Sequence, residues 1–224
     1  MTTPAQAPYT KPAGITYPGA PWPMVGSMWL TVLRLGQDAV AVDGTPRPRG
    51  VYGAAFVSYA EGSPLTYSEL LVARALPTGS RSPLAALRSK VSITDIWVDS
   101  PESVAGGREL WAIPKGLADF DLDTSHRGPL TTTDWSATLE RRPVASASFT
   151  DLSRVAPRTP FKGVTWQPEL PEGGGEKSAV LQGTAKTLPA RARWDFAADG
   201  PLGWLQAARP LASVRMASFR MSFG

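Results

Sequence analysis

Short segments of alternating apolar and polar residues recur along most of this 224-residue chain and restrict its fold more than any other feature. A period of two places apolar side chains on one face of a β-strand, and β-branched and aromatic residues, which favour strands, are frequent in these segments. The 22 prolines and 21 glycines leave little room for long helices. The pattern predicts strands over nine segments: Met28–Leu35, Val51–Tyr59, Leu65–Leu76, Val91–Val98, Trp135–Leu139, Val144–Phe149, Val164–Trp166, Val180–Thr187 and Val214–Phe223.

Two segments interrupt the alternation and are predicted to be short helices. Ser100 precedes Pro101, which is typical of an N-cap followed by the first helical residue, so the first helix is expected from Ser100 to about residue 110. The second is expected over Pro201–Ala208. The run Gly173–Gly175 is typical of a flexible hairpin tip rather than a linker between domains.

Many strands in a chain of this length would leave exposed edges unless the sheet closes on itself. We therefore expect a mainly β (α+β) fold: a closed or cone-like antiparallel β-barrel with one or two short helices. The interior of such a barrel can form a pocket. Five prolines precede Trp22, which indicates an extended N-terminal arm over residues 1–25, followed by a single barrel domain over residues 26–224.

The composition excludes several classes of site. The chain has no cysteine and a single histidine, His126, so thiolate nucleophiles, Cys/His dyads and zinc clusters are excluded. His126 lies in a polar segment typical of an exposed turn, although a serine triad would have to use it. No apolar run approaches the about 20 residues of a membrane-spanning helix, and no secretory signal is evident, so we expect a cytoplasmic protein with no membrane partner.

The formal net charge of +4 raises the question of a nucleic-acid partner. The basic residues are scattered in pairs, such as Arg47 with Arg49 and Arg191 with Arg193, and no cluster interleaves them with aromatic residues. We therefore expect a solvated surface and no nucleic-acid partner.

Asp119, Asp121 and Asp123 share one face of an expected strand. Three carboxylates in this arrangement could bind a metal ion. Because the row itself contains no histidine and no fourth acid, a solvated strand face is the stronger interpretation, and we expect no metal site.

The strongest functional signal is the segment 106–118, Gly-Gly-Arg-Glu-Leu-Trp-Ala-Ile-Pro-Lys-Gly-Leu-Ala. Lys115 follows Pro114 and lies among apolar residues that could withhold water from its ammonium group. Desolvation disfavours the charged form of an amine, and the neutral form is a nucleophile. Judged locally, a lysine in this position would more often be a solvent-facing turn residue.

A nucleophilic role requires a large change in the pKa of Lys115. A free lysine titrates at about 10.4 and a useful amine at about 7–8, which corresponds to about 4 kcal/mol against the charged form. Gly116 places no cation beside Lys115, so burial, which can lower a lysine pKa by about 3–5, is expected to supply the whole change.

The order Gly-Arg-Glu, four apolar or aromatic residues and Pro-Lys-x-Leu resembles the active-site segment of the acetoacetate decarboxylase family, and Tyr67-Ser68-Glu69 resembles the family's strand with an active-site carboxylate. The resemblance covers roughly residues 50–150. It implies a closed β fold, imine formation between Lys115 and a ketone, no cofactor and a homo-oligomer. Two departures are evident: Gly116 replaces the family's second lysine, and the stretch Tyr52–Phe56 lacks an upstream glutamate.

The resemblance also suggests roles for five further residues. Glu69 would act as acid or base, although a polar, outward-facing strand residue is an equal alternative. Tyr67 and Trp111 would line the substrate pocket. Arg108 and Glu109 would bind the substrate, Arg108 by holding a carboxylate in a bidentate manner, or would form a structural ion pair with the loop.

Three functions remain open at this point. The first is a Schiff-base-forming lyase that acts on a small or medium oxo acid through Lys115, with decarboxylation of a 3-oxo acid as the default. The second is an aldolase or dehydratase on the same fold. The third is a non-catalytic barrel that binds an apolar ligand, in which Lys115 packs or binds a carboxylate.

Overall fold

The computed structural model describes residues 8–76, 90–152 and 155–224, and strands dominate this part of the chain. The described residues form thirteen strands: Trp22–Leu35 (β1), Ala39–Val40 (β2), Pro46–Arg47 (β3), Gly50–Tyr59 (β4), Tyr67–Ala75 (β5), Val91–Val98 (β6), Gly116–Leu117 (β7), Asp119–Arg127 (β8), Leu130–Leu139 (β9), Arg142–Asp151 (β10), Arg158–Gln167 (β11), Lys177–Phe196 (β12) and Arg209–Phe223 (β13). They also contain the α-helix Pro101–Trp111 (α1) and a 3-10 helix, Gly203–Ala207. The mainly β fold predicted from the sequence is confirmed.

Seven strands form a closed ring. In the order β11, β6, β5, β4, β1, β13 and β12, each strand pairs with the next, and β12 pairs in turn with β11. These pairings are antiparallel, except for the parallel pairing of β11 with β6. β10, β9 and β8 extend the sheet from β12, and β2 and β3 form a separate hairpin. The ring provides the closure that the many predicted strands require.

Strands β4, β5 and β6 carry a different apolar core on each face. Core A includes Tyr52, Phe56, Leu70, Val72 and Trp204. Core B includes Val57, Tyr59, Tyr67, Val98 and Trp111. Because side chains alternate along a strand, neighbouring residues of β5 serve opposite cores.

Helix α1 lies against core B and begins where the sequence predicted. Ser100 caps the N-terminus through its side chain, and Pro101 occupies the first turn. Ala112 ends the helix in the left-handed conformation, with φ of 53°. Gly106 permits a close contact between α1 and the Trp22 ring, since a side-chain carbon at this position would lie 2.7 Å from the ring.

Three local segments have the following structures. β1 begins at Trp22, four residues before the expected start of the barrel domain at residue 26. The segment Pro201–Ala208 contains a 3-10 helix. Gly173 lies in the turn that joins β11 to β12 and has a φ of 88°, as a hairpin tip requires. Among the described residues, no helix has the length and apolar character needed to cross a membrane.

Gly26 permits a close approach of two backbones where β1 pairs with β4. A side-chain carbon at this position would lie 2.1 Å from the carbonyl oxygen of Ser58. We predict that Gly26→Ala lowers the free energy of unfolding by about 1–3 kcal/mol or more, because backbone atoms must move. Urea unfolding measures the change.

The matched control is Gly36→Ala. No atom lies within 4 Å of a carbon added at Gly36, so this variant should stay within about 0.5 kcal/mol of the wild type. Equal stability of the two variants would contradict the close approach at Gly26.

Candidate active site

Lys115 lies in the short connection between α1 and β7. The Ile113 N–H donates to the Gly107 carbonyl at 3.0 Å, and the Lys115 N–H donates to the Ile113 carbonyl at 2.7 Å, so the chain turns sharply after the helix. Gly116 then pairs with Trp97 in the parallel β6–β7 ladder. Lys115 is buried, with 5% of its surface exposed to solvent.

The Lys115 ammonium group has three polar neighbours. Its Nζ lies 2.9 Å from Glu69 Oε2 and 2.9 Å from Ser103 Oγ, and 3.4 Å from the Tyr67 hydroxyl oxygen. An ammonium group has three N–H donors. The three acceptors therefore satisfy the charged form of Lys115 completely.

The sheet supplies the acidic side of the site. Tyr67 and Glu69 share one face of β5, and Tyr59 is paired with Tyr67 in the β4–β5 register. The Tyr59 hydroxyl donates to Glu69 Oε1 at 3.2 Å. Glu69 is 3% exposed, so its carboxylate is held in a buried position between Tyr59 and Lys115.

The pKa of Lys115 differs from the sequence-based expectation. Burial lowers this pKa, but the Glu69 carboxylate and the hydrogen bonds to Glu69 and Tyr67 raise it by more, so it lies above that of a free lysine. Burial raises the pKa of Tyr59 well above its ordinary value, and it also raises the pKa of Tyr67. At neutral pH the site therefore holds an ammonium group and two neutral phenols. The sequence predicts a lowered pKa because it indicates burial and shows no carboxylate at hydrogen-bond distance from the amine.

Two glycines shape the space around the lysine. A side-chain carbon at Gly107 would lie 2.7 Å from Lys115 Cδ and 2.9 Å from Cε, so the absence of a side chain makes room for the lysine stem. A side-chain carbon at Gly116 would lie 3.3 Å from Trp97 Cδ1. A larger residue at Gly116 would require a small movement of Trp97.

Arg108 holds the segment that carries Lys115. Its Nε and Nη2 donate to the two carboxylate oxygens of Glu172 at 2.6 and 3.1 Å, and its Nη1 donates to the Lys115 carbonyl at 3.0 Å. Partial burial raises the pKa of Glu172, but the hydrogen bonds and charge of Arg108, together with backbone hydrogen bonds, lower it by more. Arg108 thus makes a bidentate contact with a carboxylate, and that carboxylate belongs to the turn between β11 and β12.

Glu109 and Trp111 lie on other sides of the helix end. Glu109 accepts a hydrogen bond from Tyr17 and lies 3.5 Å from Lys11 Nζ. Arg108 and Glu109 line an outer cleft of about 320 Å³, whose lining does not include Lys115. The Trp111 ring is buried and makes edge contacts with the rings of Trp22 and Phe223, at centroid distances of 4.8 and 4.7 Å.

Sequence reasoning did not identify Ser103 and Tyr59 as members of the site. Ser103 lies four residues before Gly107 on α1, so helical periodicity places both on the face that contacts Lys115. Tyr59 follows from the hairpin register of β4 and β5, which pairs it with Tyr67. Both signals become useful once the fold position of Lys115 is known.

The aspartate row and His126 lie away from this site. Asp119, Asp121 and Asp123 are exposed on β8 at the end of the sheet, and Asp123 is paired with Asp134 of β9. His126 is also exposed on β8.

Solved structures of known proteins share this fold. An acetoacetate decarboxylase-like enzyme from Sphingomonas wittichii RW1 aligns with a TM-score of 0.54 and 16% identity, over 92% of this chain and 91% of its own. A structure of acetoacetate decarboxylase aligns with a TM-score of 0.54 and 13% identity, over 92% of this chain and 87% of its own. Acetoacetate decarboxylase from Legionella pneumophila subsp. pneumophila str. Philadelphia 1 aligns with a TM-score of 0.52 and 13% identity, over 98% of this chain and 88% of its own. At these identities the likeness concerns the fold alone.

Comparison with curated proteins gave no match. The family model for acetoacetate decarboxylase (ADC), in contrast, matches residues 45–170, which is more than half of the chain and includes Glu69, Ser103 and Lys115. The chain therefore belongs to the acetoacetate decarboxylase family.

Proposed function

We propose that the protein is a Schiff-base-forming lyase that acts on a small or medium oxo acid through Lys115, with decarboxylation of a 3-oxo acid as the default reaction. Membership of the family supports a lyase of the decarboxylase type in broad terms. The observation that carries the proposal is the buried Lys115 amine 2.9 Å from Glu69 Oε2. No cofactor enters this chemistry, and a cytoplasmic homo-oligomer stays a prediction from the sequence.

The first step is a proton transfer within the ion pair. The resting ammonium group gives a proton to Glu69 Oε2, which lies at hydrogen-bond distance, and leaves a neutral amine. The nitrogen lone pair then forms a bond to the ketone carbon, and a proton moves from nitrogen to the former carbonyl oxygen. The product is a carbinolamine.

Glu69 then acts as an acid. It returns its proton to the carbinolamine hydroxyl, the C–O bond breaks, and water leaves, so that an iminium and a carboxylate remain. The total charge equals that of the resting ammonium–carboxylate pair. Glu69 is therefore already placed to stabilise the iminium without reorganisation.

Loss of CO2 uses the iminium as an electron sink. The bond between the substrate's carboxylate carbon and its neighbour breaks, and the electron pair passes into the C=N bond to give an enamine. The enamine carbon takes a proton from the solvent, and a water molecule then hydrolyses the restored iminium to release the ketone and the Lys115 ammonium group. The described side chains that hydrogen-bond Nζ are those of Tyr67, Glu69 and Ser103, and of these Glu69 alone is charged. None of these three groups is a cation that would disfavour the positive charge of the iminium.

We assign supporting roles to five further residues. Ser103 and Tyr67 orient the nitrogen through their hydroxyl groups, and Arg108 fixes the Lys115 backbone. Trp111 closes the apolar side of the site. Glu109 is assigned to the attachment of the N-terminal arm through Tyr17.

One observation favours a non-catalytic function instead. The three acceptors around Nζ and the raised pKa of Lys115 stabilise the resting ammonium, as a structural ion pair would. In that case the protein binds an apolar ligand or a carboxylate without chemistry. An aldolase or dehydratase on this fold would share the iminium and differ in the bond that breaks next.

We predict that incubation with acetoacetate or pyruvate and borohydride adds substrate-derived mass to the wild type and not to Lys115→Ala. Reduction converts the iminium to a stable secondary amine, and intact-mass spectrometry detects it. Lys177→Ala, which removes a lysine at the outer cleft, is the matched control and should label like the wild type.

Lys115→Ala leaves a buried carboxylate without its ion pair, which can cost about 3–5 kcal/mol. The double variant Lys115→Met/Glu69→Gln removes both charges and keeps the comparison valid if the single variant unfolds. Equal labelling of a folded Lys115 variant and the wild type would sink the imine proposal.

For Glu69→Gln we predict labelling at Lys115 with a turnover about 10²–10⁴-fold below that of the wild type. Without the carboxylate, burial dominates and lowers the pKa of Lys115, so a neutral amine remains available, while proton transfers to the intermediates slow. Steady-state decarboxylation and endpoint mass labelling give the two readouts.

The control for this prediction is Glu176→Gln, at an exposed position. It should match the wild type in both assays. Wild-type turnover in folded Glu69→Gln would exclude the acid–base role.

A further inference from the structure

The core A face of β4, β5 and β6 carries a second buried charged cluster. Arg47 Nη2 donates to Asp95 Oδ1 at 2.6 Å, and both residues are buried. The other oxygen of Asp95 accepts a hydrogen bond from Thr94 at 2.8 Å. Arg74 is paired with Tyr52 in the β4–β5 register and forms no ion pair with a described residue. The cluster therefore combines the buried Arg47–Asp95 ion pair with a second, half-buried guanidinium group, that of Arg74.

Three buried N–H donors of this cluster have no acceptor among the described residues. They are Arg47 Nε, Arg74 Nε and Trp204 Nε1. The Trp204 ring lies 5.3 Å from Arg47 Cζ and 5.0 Å from the Tyr52 ring, which places it in the same cluster. Arg47 and Trp204 are each buried, with 8% of their surface exposed to solvent. Native proteins pair nearly all buried donors, since an unpaired one costs about 1–3 kcal/mol.

The charge of the cluster indicates which acceptor fits. Asp95 forms an ion pair with Arg47, and the exposed Asp43 also acts on Arg47 from farther away. The positive charge of Arg74 has no carboxylate at ion-pair distance among the described residues. A singly charged group with two acceptor oxygens would balance this charge and accept from the unpartnered donors. A planar carboxylate matches the fork of a guanidinium group better than other small anions do.

We propose that Arg47, Arg74 and Trp204 bind the carboxylate of a small organic acid beside the β2–β3 hairpin. Arg47 is the last residue of β3, and Trp204 comes from the 3-10 helix, so these two elements border the site. Lys115 and Glu69 lie on the core B side of the same sheet. The proposal therefore stands apart from the imine chemistry of Lys115.

The test is a titration of the protein with ¹³C-carboxyl acetate at constant ionic strength, followed by NMR line broadening. Acetate should bind saturably, and acetamide, its neutral counterpart, should not compete. Arg74→Met and Trp204→Phe each remove one unpartnered donor and should weaken acetate binding by about 10-fold and about 3–10-fold, respectively. Both variants leave the Arg47–Asp95 pair in place, and urea unfolding checks their stability.

Two controls separate this site from others. Arg49→Met removes an exposed arginine two residues from Arg47, and the double variant Lys115→Met/Glu69→Gln removes the charges of the core B site. Both should bind acetate like the wild type. Loss of acetate binding in the double variant would assign it to Lys115 and overturn the proposal.

Three other outcomes would also overturn it. They are the absence of saturable acetate binding, equal binding by wild type and Arg74→Met, and competition by acetamide as strong as that by unlabelled acetate. Inorganic phosphate tests the other source of oxygen acceptors. Binding of phosphate without acetate would exclude the carboxylate assignment.

Discussion

The ion pair between Lys115 Nζ and Glu69 Oε2, 2.9 Å apart and buried, is the interaction on which the proposed chemistry depends. Burial of either charge alone would be costly, and removal of one partner leaves the other uncompensated. Apolar residues of the same size would stabilise such an interior as well or better, so the pair is weak evidence for stability. Its value is chemical, because it places a proton donor and a proton acceptor in contact at the amine that would attack a ketone.

The fold brings these two residues together from separate elements. Glu69 lies on β5, which is one of the strands of the closed ring, whereas Lys115 follows α1, which connects β6 to the parallel strand β7. Arg108 ties the Lys115 carbonyl to Glu172 in the β11–β12 turn. Side chains alternate between the two faces of β4, β5 and β6, so this site and the arginine cluster of core A lie on opposite faces of one sheet.

Local sequence signals predicted much of the fold and less of the site. Alternation located strands such as β4 and β6, and the Ser100-Pro101 pair located the start of α1. The family resemblance drew attention to Lys115 and Glu69, but their distance depends on the β5–β6 register and on the turn after α1, which no local pattern contains. The raised pKa of Lys115 depends on long-range contacts for the same reason. The raised pKa results from the Glu69 carboxylate, which is near Lys115 in space and far from it in sequence. Neighbours along the chain indicate only burial, which lowers a lysine pKa.

The most direct test of this account is the protonation state of the Lys115 amine in the resting protein. Nitrogen NMR of protein labelled with ¹⁵N-lysine, with the signal assigned by its loss in Lys115→Met/Glu69→Gln, measures it at the nitrogen itself. The account predicts an ammonium shift at pH 7, and a signal that stays protonated to a higher pH than those of the exposed lysines. An amine shift at pH 7, or a titration midpoint near 7–8, would contradict the stabilisation of the charged lysine by Glu69.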